Sequence, residues 1–157
     1  MYIIKEGFSL TNEDIKRIRE TAENYYRVGS FFCSEAIVKT LKDEFMPELS
    51  DDVVKFASGF PVGIGRSGCT CGALAGAVMS IGMMFGRSEA AGKEVDKTLQ
   101  LSKELHDKFR EANRVTCCRI LTKGLTMGSP EHKDQCVRFT GDMAEEAAKI
   151  IIREKNL

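Results

Sequence analysis

The chain has 157 residues, of which 29% are charged and 43% hydrophobic, with 23 basic side chains against 23 acidic ones and no tryptophan. This composition suits one globular domain over residues 1–157 and excludes disordered and fibrous classes. The balanced charge also removes the long-range field that draws proteins to nucleic acid or anionic lipid, so no polynucleotide partner is expected.

The amino-terminal stretch MYIIKEGFSLTNED reaches Lys5 and Glu6 after four residues. It therefore lacks the pattern of a signal peptide, and a cytoplasmic protein is expected. Apolar residues recur at three- and four-residue spacing almost throughout and nowhere alternate as in a half-buried strand, which predicts an all-α fold, a compact helical bundle. Thr11 followed by Asp14 resembles a capping box with a shorter acid, opening a helix whose inner face is Ile15, Ile18, Ala22 and Tyr25 and which stops at Gly29. A second helix is expected from Cys33 to Phe45, with Ala36, Ile37, Thr40 and Leu41 inward, before Pro47 punctuates the chain. Ser50 is placed to cap a short third one through Phe56.

The next stretch, from Gly63 to Gly86, holds seven glycines and two cysteines. Its Gly63-Ile64-Gly65-Arg66-Ser67-Gly68 matches G-x-G-x-x-G, but no strand precedes it and no second strand follows, so a dinucleotide loop lacks its context. Twenty uncharged residues separate Arg66 from Arg87. Gly68 to Cys71 suit a loop and helix start, which leaves an apolar run of core-helix length rather than a membrane span. Gly72, Gly76 and Ser80 fall four apart, a groove into which another helix backbone can settle. A central, buried Gly/Ala-rich helix is the expectation, with Met79, Met83 and Met84 as core packing.

Ser88 is expected to open a long amphipathic helix with Val95, Leu99, Ser102, Leu105 and Phe109 on its inner side. In SPEHKDQC, Ser129 reads as an N-cap, Pro130 as the first helical residue and Glu131 as an acid at the positive end of the dipole. The final helix then carries Val137, Thr140, Ala144, Ala147 and Ile151 inward to the carboxyl terminus.

Six cysteines are the informative residues. In a reducing compartment they point to metal ligation or thiol redox chemistry rather than structural disulfides. Four segments supply them: Cys33, the doublet Cys69 and Cys71, the vicinal Cys117 and Cys118, and Cys136. A helix starting at or just after Cys71 places that thiol at the positive end of a dipole, where the thiolate is favoured. His132, four residues before Cys136, is in position for an N/S ligand pair or a base beside a thiol, although exposed surface is its simplest place. Arg66 and Arg119 flank cysteines and read equally as stabilisers of thiolate charge or as solvated arginines.

The sequence Cys71-Gly72-Ala73-Leu74-Ala75-Gly76, with Cys33 before it and Cys118 and Cys136 after it, resembles the C_GCAxxG_C_C family, bacterial and archaeal chains named for redox activity. The resemblance spans about residues 20 to 150 and implies Cys33, Cys71, Cys118 and Cys136 as the four site residues. Cys69 and Cys117 are additional, and the choice within each doublet stays open. A similar cysteine arrangement in split-Soret cytochromes implies an iron–sulfur cluster, while haem is not implied because no C-x-x-C-H is present. Four thiolates held together from separate helix ends suit such a cluster and electron transfer to a redox partner protein. Zinc is the blander metal, since its usual C-x₂₋₄-C knuckles are absent. The alternatives are a thiol–disulfide oxidoreductase with Cys71 as nucleophile and Cys69 as a resolving partner, and an adaptor domain with inert buried cysteines. Association into a homodimer is left open.

Overall fold

A computed structural model describes residues 9–157 of the chain; the first eight, which include most of the signal-peptide reading, lie outside it. The described residues form six α-helices: α1 (Asn12–Arg27), α2 (Cys33–Phe45), α3 (Gly72–Phe85), α4 (Glu94–Asn113), α5 (Cys118–Leu121) and α6 (Pro130–Lys155). A 3₁₀ helix, Asp51–Ala57, follows α2, and no strand occurs among the described residues. The fold is all-α, as the periodicity predicts. No helix among these residues is long and apolar enough to cross a membrane.

Local chemistry sets the helix starts. The side chain of Thr11 accepts the amide of Asp14 while that of Asp14 accepts the amide of Thr11, closing the capping box of α1. Ser129 accepts the amide of His132 and Pro130 sits in the first turn of α6. Ser50 caps the third segment, which tightens into a 3₁₀ helix.

α3 is the axis. It is apolar on nearly every side and packs against α2, α4 and α6, while α1 lies along α6. The main core joins Ile18 and Ala22 of α1, Ile37 and Leu41 of α2, Ala73 to Ile81 of α3, Leu105 and Phe109 of α4, and Ala144 to Ile151 of α6. Gly76 is where two backbones come closest. A Cβ added there would lie 2.7 Å from the carbonyl oxygen of Ser34 and 2.8 Å from its Cα. Ser80 donates to the Gly76 carbonyl at 2.9 Å and Ser34 to the Ala57 carbonyl at 2.9 Å, so the hydroxyls in this seam are satisfied within it. The expected glycine groove is thus filled by the start of α2, the turn that carries Cys33.

The long amphipathic helix differs from its prediction. It begins at Glu94, not Ser88, and its buried residues are Leu101, Leu105 and Phe109. Leu99 is 62% exposed. A continuous i, i+4 stripe through Leu101, Leu105 and Phe109 leaves Leu99 on the far side of the helix.

Candidate functional site

The four cysteines singled out by the family resemblance are carried by four different segments and line one small buried cavity of about 30 Å³. Cys33 is the first residue of α2, Cys71 the N-cap of α3, Cys118 the first residue of α5, and Cys136 lies in the second turn of α6. Tyr26, Phe32, Val62, His132 and Phe139 close the cavity.

The two doublets are laid side by side by backbone bonds. Thr70 and Cys117 form an isolated antiparallel bridge. The Cys71 amide donates to Thr116 O at 2.8 Å, Cys118 to Cys69 O at 2.6 Å, and Arg119 to Gly68 O at 3.0 Å. Cys71, at the N-cap of α3, and Cys118, at the start of α5, line the cavity from this paired backbone. Cys69 is exposed, and the Cys117 thiol donates to Gly68 O at 3.1 Å. Cys69 and Cys117 are not among the residues lining the cavity.

The G-x-G-x-x-G segment supports this pairing. Val62, Gly63, Ile64, Gly65 and Arg66 have consecutive φ values of +57, +68, +63, +57 and +64°. This single left-handed turn costs about 1–2 kcal/mol at each non-glycine residue. It is held by Ile64 donating to Phe60 O at 2.9 Å, Gly68 to Val62 O at 3.1 Å and Cys69 to Gly63 O at 2.9 Å. A Cβ on Gly63 would lie 2.7 Å from the carbonyl carbon of Gly68 and 2.8 Å from Cys118 Cβ. Gly72 is equally constrained, because its Cβ would occupy the space of the Cys33 sulfur. These glycines are spaces for sulfur-bearing backbone. Arg119 donates to Ser67 O at 2.9 Å and braces the same loop from outside.

His132 is buried, at 6% exposure, which corrects the expectation of an exposed first-turn residue. The Gly128 amide donates to its Nδ1 at 3.3 Å, so Nε2 carries the proton of the neutral ring, and Nε2 stands 3.7 Å from Cys136 Sγ. The Tyr26 side chain also lies against Cys136 and favours its thiolate. Burial pushes the Tyr26 pKa up, with Cys136 adding to the effect, so it stays protonated. Where the spacing predicts Tyr25 on the inner face of α1, the residue that lines the cavity is Tyr26, which continues the i+4 stripe of Ile18 and Ala22.

Burial controls the thiols. It pushes Cys33 up to about 12, with Cys71 and Cys136 adding their repulsion and the amides of Ser34 and Val62 opposing. It pushes Cys71 up to about 11. The amides of Ala73 and Leu74 do favour the Cys71 thiolate, as its place at a helix start predicts, without closing a capping hydrogen bond. Desolvation outweighs them, so the expected low-pKa nucleophile is a protonated thiol. Cys118 and Cys136 are raised as well, first by burial.

A raised acid stabilises the folded state fully below the ordinary thiol value near 8.5, and that contribution is lost as pH climbs through the folded value. The reduced, metal-free protein is therefore expected to lose stability above about pH 9. In the native state at about pH 8, iodoacetamide should label exposed Cys69 well before Cys33 or Cys71. Mass spectrometry of the labelled peptides checks this, and early labelling of Cys33 or Cys71 would contradict the burial account.

Among the described residues no three His, Cys, Asp or Glu side chains are arranged to hold a metal ion as they stand. A family model described as "Putative redox-active protein (C_GCAxxG_C_C)" matches residues 31–150. No curated protein and no solved structure gives a match.

Proposed function

The chain belongs to the C_GCAxxG_C_C family, and on that premise we propose that it is an electron-transfer protein whose Cys33, Cys71, Cys118 and Cys136 hold an iron–sulfur cluster. The observation that carries this reading is the placement of these four thiols, from four separate segments, around one buried cavity. When bound, the cluster supplies one-electron chemistry.

The donor set fits that group. Metal binding displaces thiol protons, so buried thiols that ionise reluctantly alone become thiolates when a metal compensates the charge. The His132 ring stands 3.7 Å from the Cys136 sulfur and Tyr26 lies against it, and hydrogen bonds to cluster sulfurs tune the potential. Phe32 and Phe139 give the cavity apolar walls. A single tetrahedral zinc, bonded at 2.3 Å, draws its sulfurs to about 3.8 Å from one another. No such grouping stands ready among the described residues, so the four thiols would have to draw together to hold a single zinc. The cavity is small, about 30 Å³, so the cysteine-bearing segments would have to part to seat a cluster. Burial of Cys71 and its raised pKa weigh against the nucleophile reading.

The test is anaerobic purification followed by iron, sulfide and zinc analysis. Iron and sulfide in matching amounts, with a visible absorption bleached by dithionite, are expected. A colourless, iron-free protein with a readily reducible disulfide would replace this reading by thiol exchange.

A further inference from the structure

Beside the cysteine cavity lies a larger one of about 590 Å³, where the end of α1, the start of α2 and the start of α6 meet. Its size is that of a small-molecule site. The two cavities share Tyr26, Phe32, Val62 and His132, so Tyr26 and His132, the side chains facing Cys136, form part of the partition.

The larger cavity has a definite chemistry. Phe32 and Met127 leave 47% and 58% of their surface in water at its edge, an arrangement that favours a flat apolar body. Its charged groups are Arg66, Lys133 and Glu35. The Glu35 carboxylate is already engaged, accepting the Phe32 amide at 2.9 Å and the Ser58 hydroxyl at 2.8 Å. Arg66 and Lys133 make no side-chain hydrogen bond or ion pair among the described residues. Arg66 is presented by the left-handed turn, at φ +64°. Lys133 lies in the first turn of α6, whose dipole adds positive potential. The chain's net charge of zero supplies no general attraction for a polyanion, so this excess of positive charge is local.

We propose that this cavity binds a small organic anion with a flat aromatic body, the body lying against Phe32 and Met127, the negative group met by Arg66 and Lys133, and Cys136 one side chain away. The binding is argued for the reduced, metal-free chain, and its measurement requires no metal and no electron transfer.

The test is equilibrium dialysis of the reduced full-length chain against anthraquinone-2-sulfonate under anaerobic conditions. Saturable one-to-one binding is expected, weakened about tenfold or more by Arg66→Glu and by Lys133→Glu. Lys133→Glu places an acid where the helix dipole favours one, so α6 is retained, and circular dichroism verifies this for both variants. Lys123→Glu, which reverses an exposed cation outside the cavity, should leave affinity unchanged. The uncharged 2-(hydroxymethyl)anthraquinone should bind more weakly, and sulfate at equal concentration should not displace the sulfonate. Absence of saturable binding, insensitivity to both cavity substitutions, equal weakening by Lys123→Glu, or displacement by sulfate would each overturn the proposal.

Discussion

Gly76→Leu is expected to destabilise the protein by about 3 kcal/mol, the upper end of the usual cost of overpacking. The reason is what the new side chain meets. At Gly76 the obstructing atoms are the Ser34 carbonyl oxygen and Cα, within 2.8 Å of an added Cβ, and backbone cannot rotate aside as a side-chain tip can. α2 must move away from α3, and Ser34 is covalently next to Cys33. The substitution should therefore also disperse the cysteine site while leaving far-ultraviolet helicity nearly intact. Gly82, in the same helix, has nothing within 4 Å of its Cβ position. Gly82→Ala is expected to stabilise by roughly 0.5–1 kcal/mol, because alanine lowers the entropy cost of forming the helix. Denaturant unfolding of the two variants reads both signs in one experiment, and equal effects would contradict the close α2–α3 approach.

Gly63→Ala should cost about 3 kcal/mol or more, the sum of two separate effects. Alanine at φ +68° carries the left-handed penalty of about 1–2 kcal/mol. Its Cβ also meets the Gly68 backbone and Cys118 Cβ, adding a clash of the overpacking class, about 1–3 kcal/mol. Gly65 isolates the first effect. Its φ is +57°, yet the nearest atom to an added Cβ is Gly59 O at 4.0 Å, so Gly65→Ala should cost only about 1–2 kcal/mol. A phosphate-binding loop would instead show its loss in nucleotide affinity. Sensitivity of Gly63 to substitution therefore does not by itself identify a nucleotide site here.

Where a signal is confined to neighbouring residues, sequence and structure coincide. Thr11 with Asp14, Ser129 with Pro130, and the start of α3 just after Cys71 are all local chemistry. The left-handed turn is not legible in this way. Val62 and Ile64 are β-branched residues that disfavour positive φ, and they adopt it because backbone bonds from Gly68 and Cys69 close over them. The Thr70–Cys117 bridge joins segments far apart in the chain, so nothing adjacent to either doublet announces which cysteine faces inward. His132 follows an N-cap among polar residues and reads as surface. It is buried because Gly128 holds one ring nitrogen while the other faces Cys136. Cys33 carries no local mark of function, and the family pattern, rather than periodicity, singled it out.

The most direct test of the four-cysteine centre is the iron retained per chain after anaerobic reconstitution across six single variants, Cys33→Ser, Cys69→Ser, Cys71→Ser, Cys117→Ser, Cys118→Ser and Cys136→Ser. The account predicts a marked loss of iron and of visible absorption for Cys33, Cys71, Cys118 and Cys136, with retention for Cys69 and Cys117, whose thiols lie outside the lining of the cavity. Full retention in the first four, or loss in Cys69→Ser and Cys117→Ser alone, would contradict it.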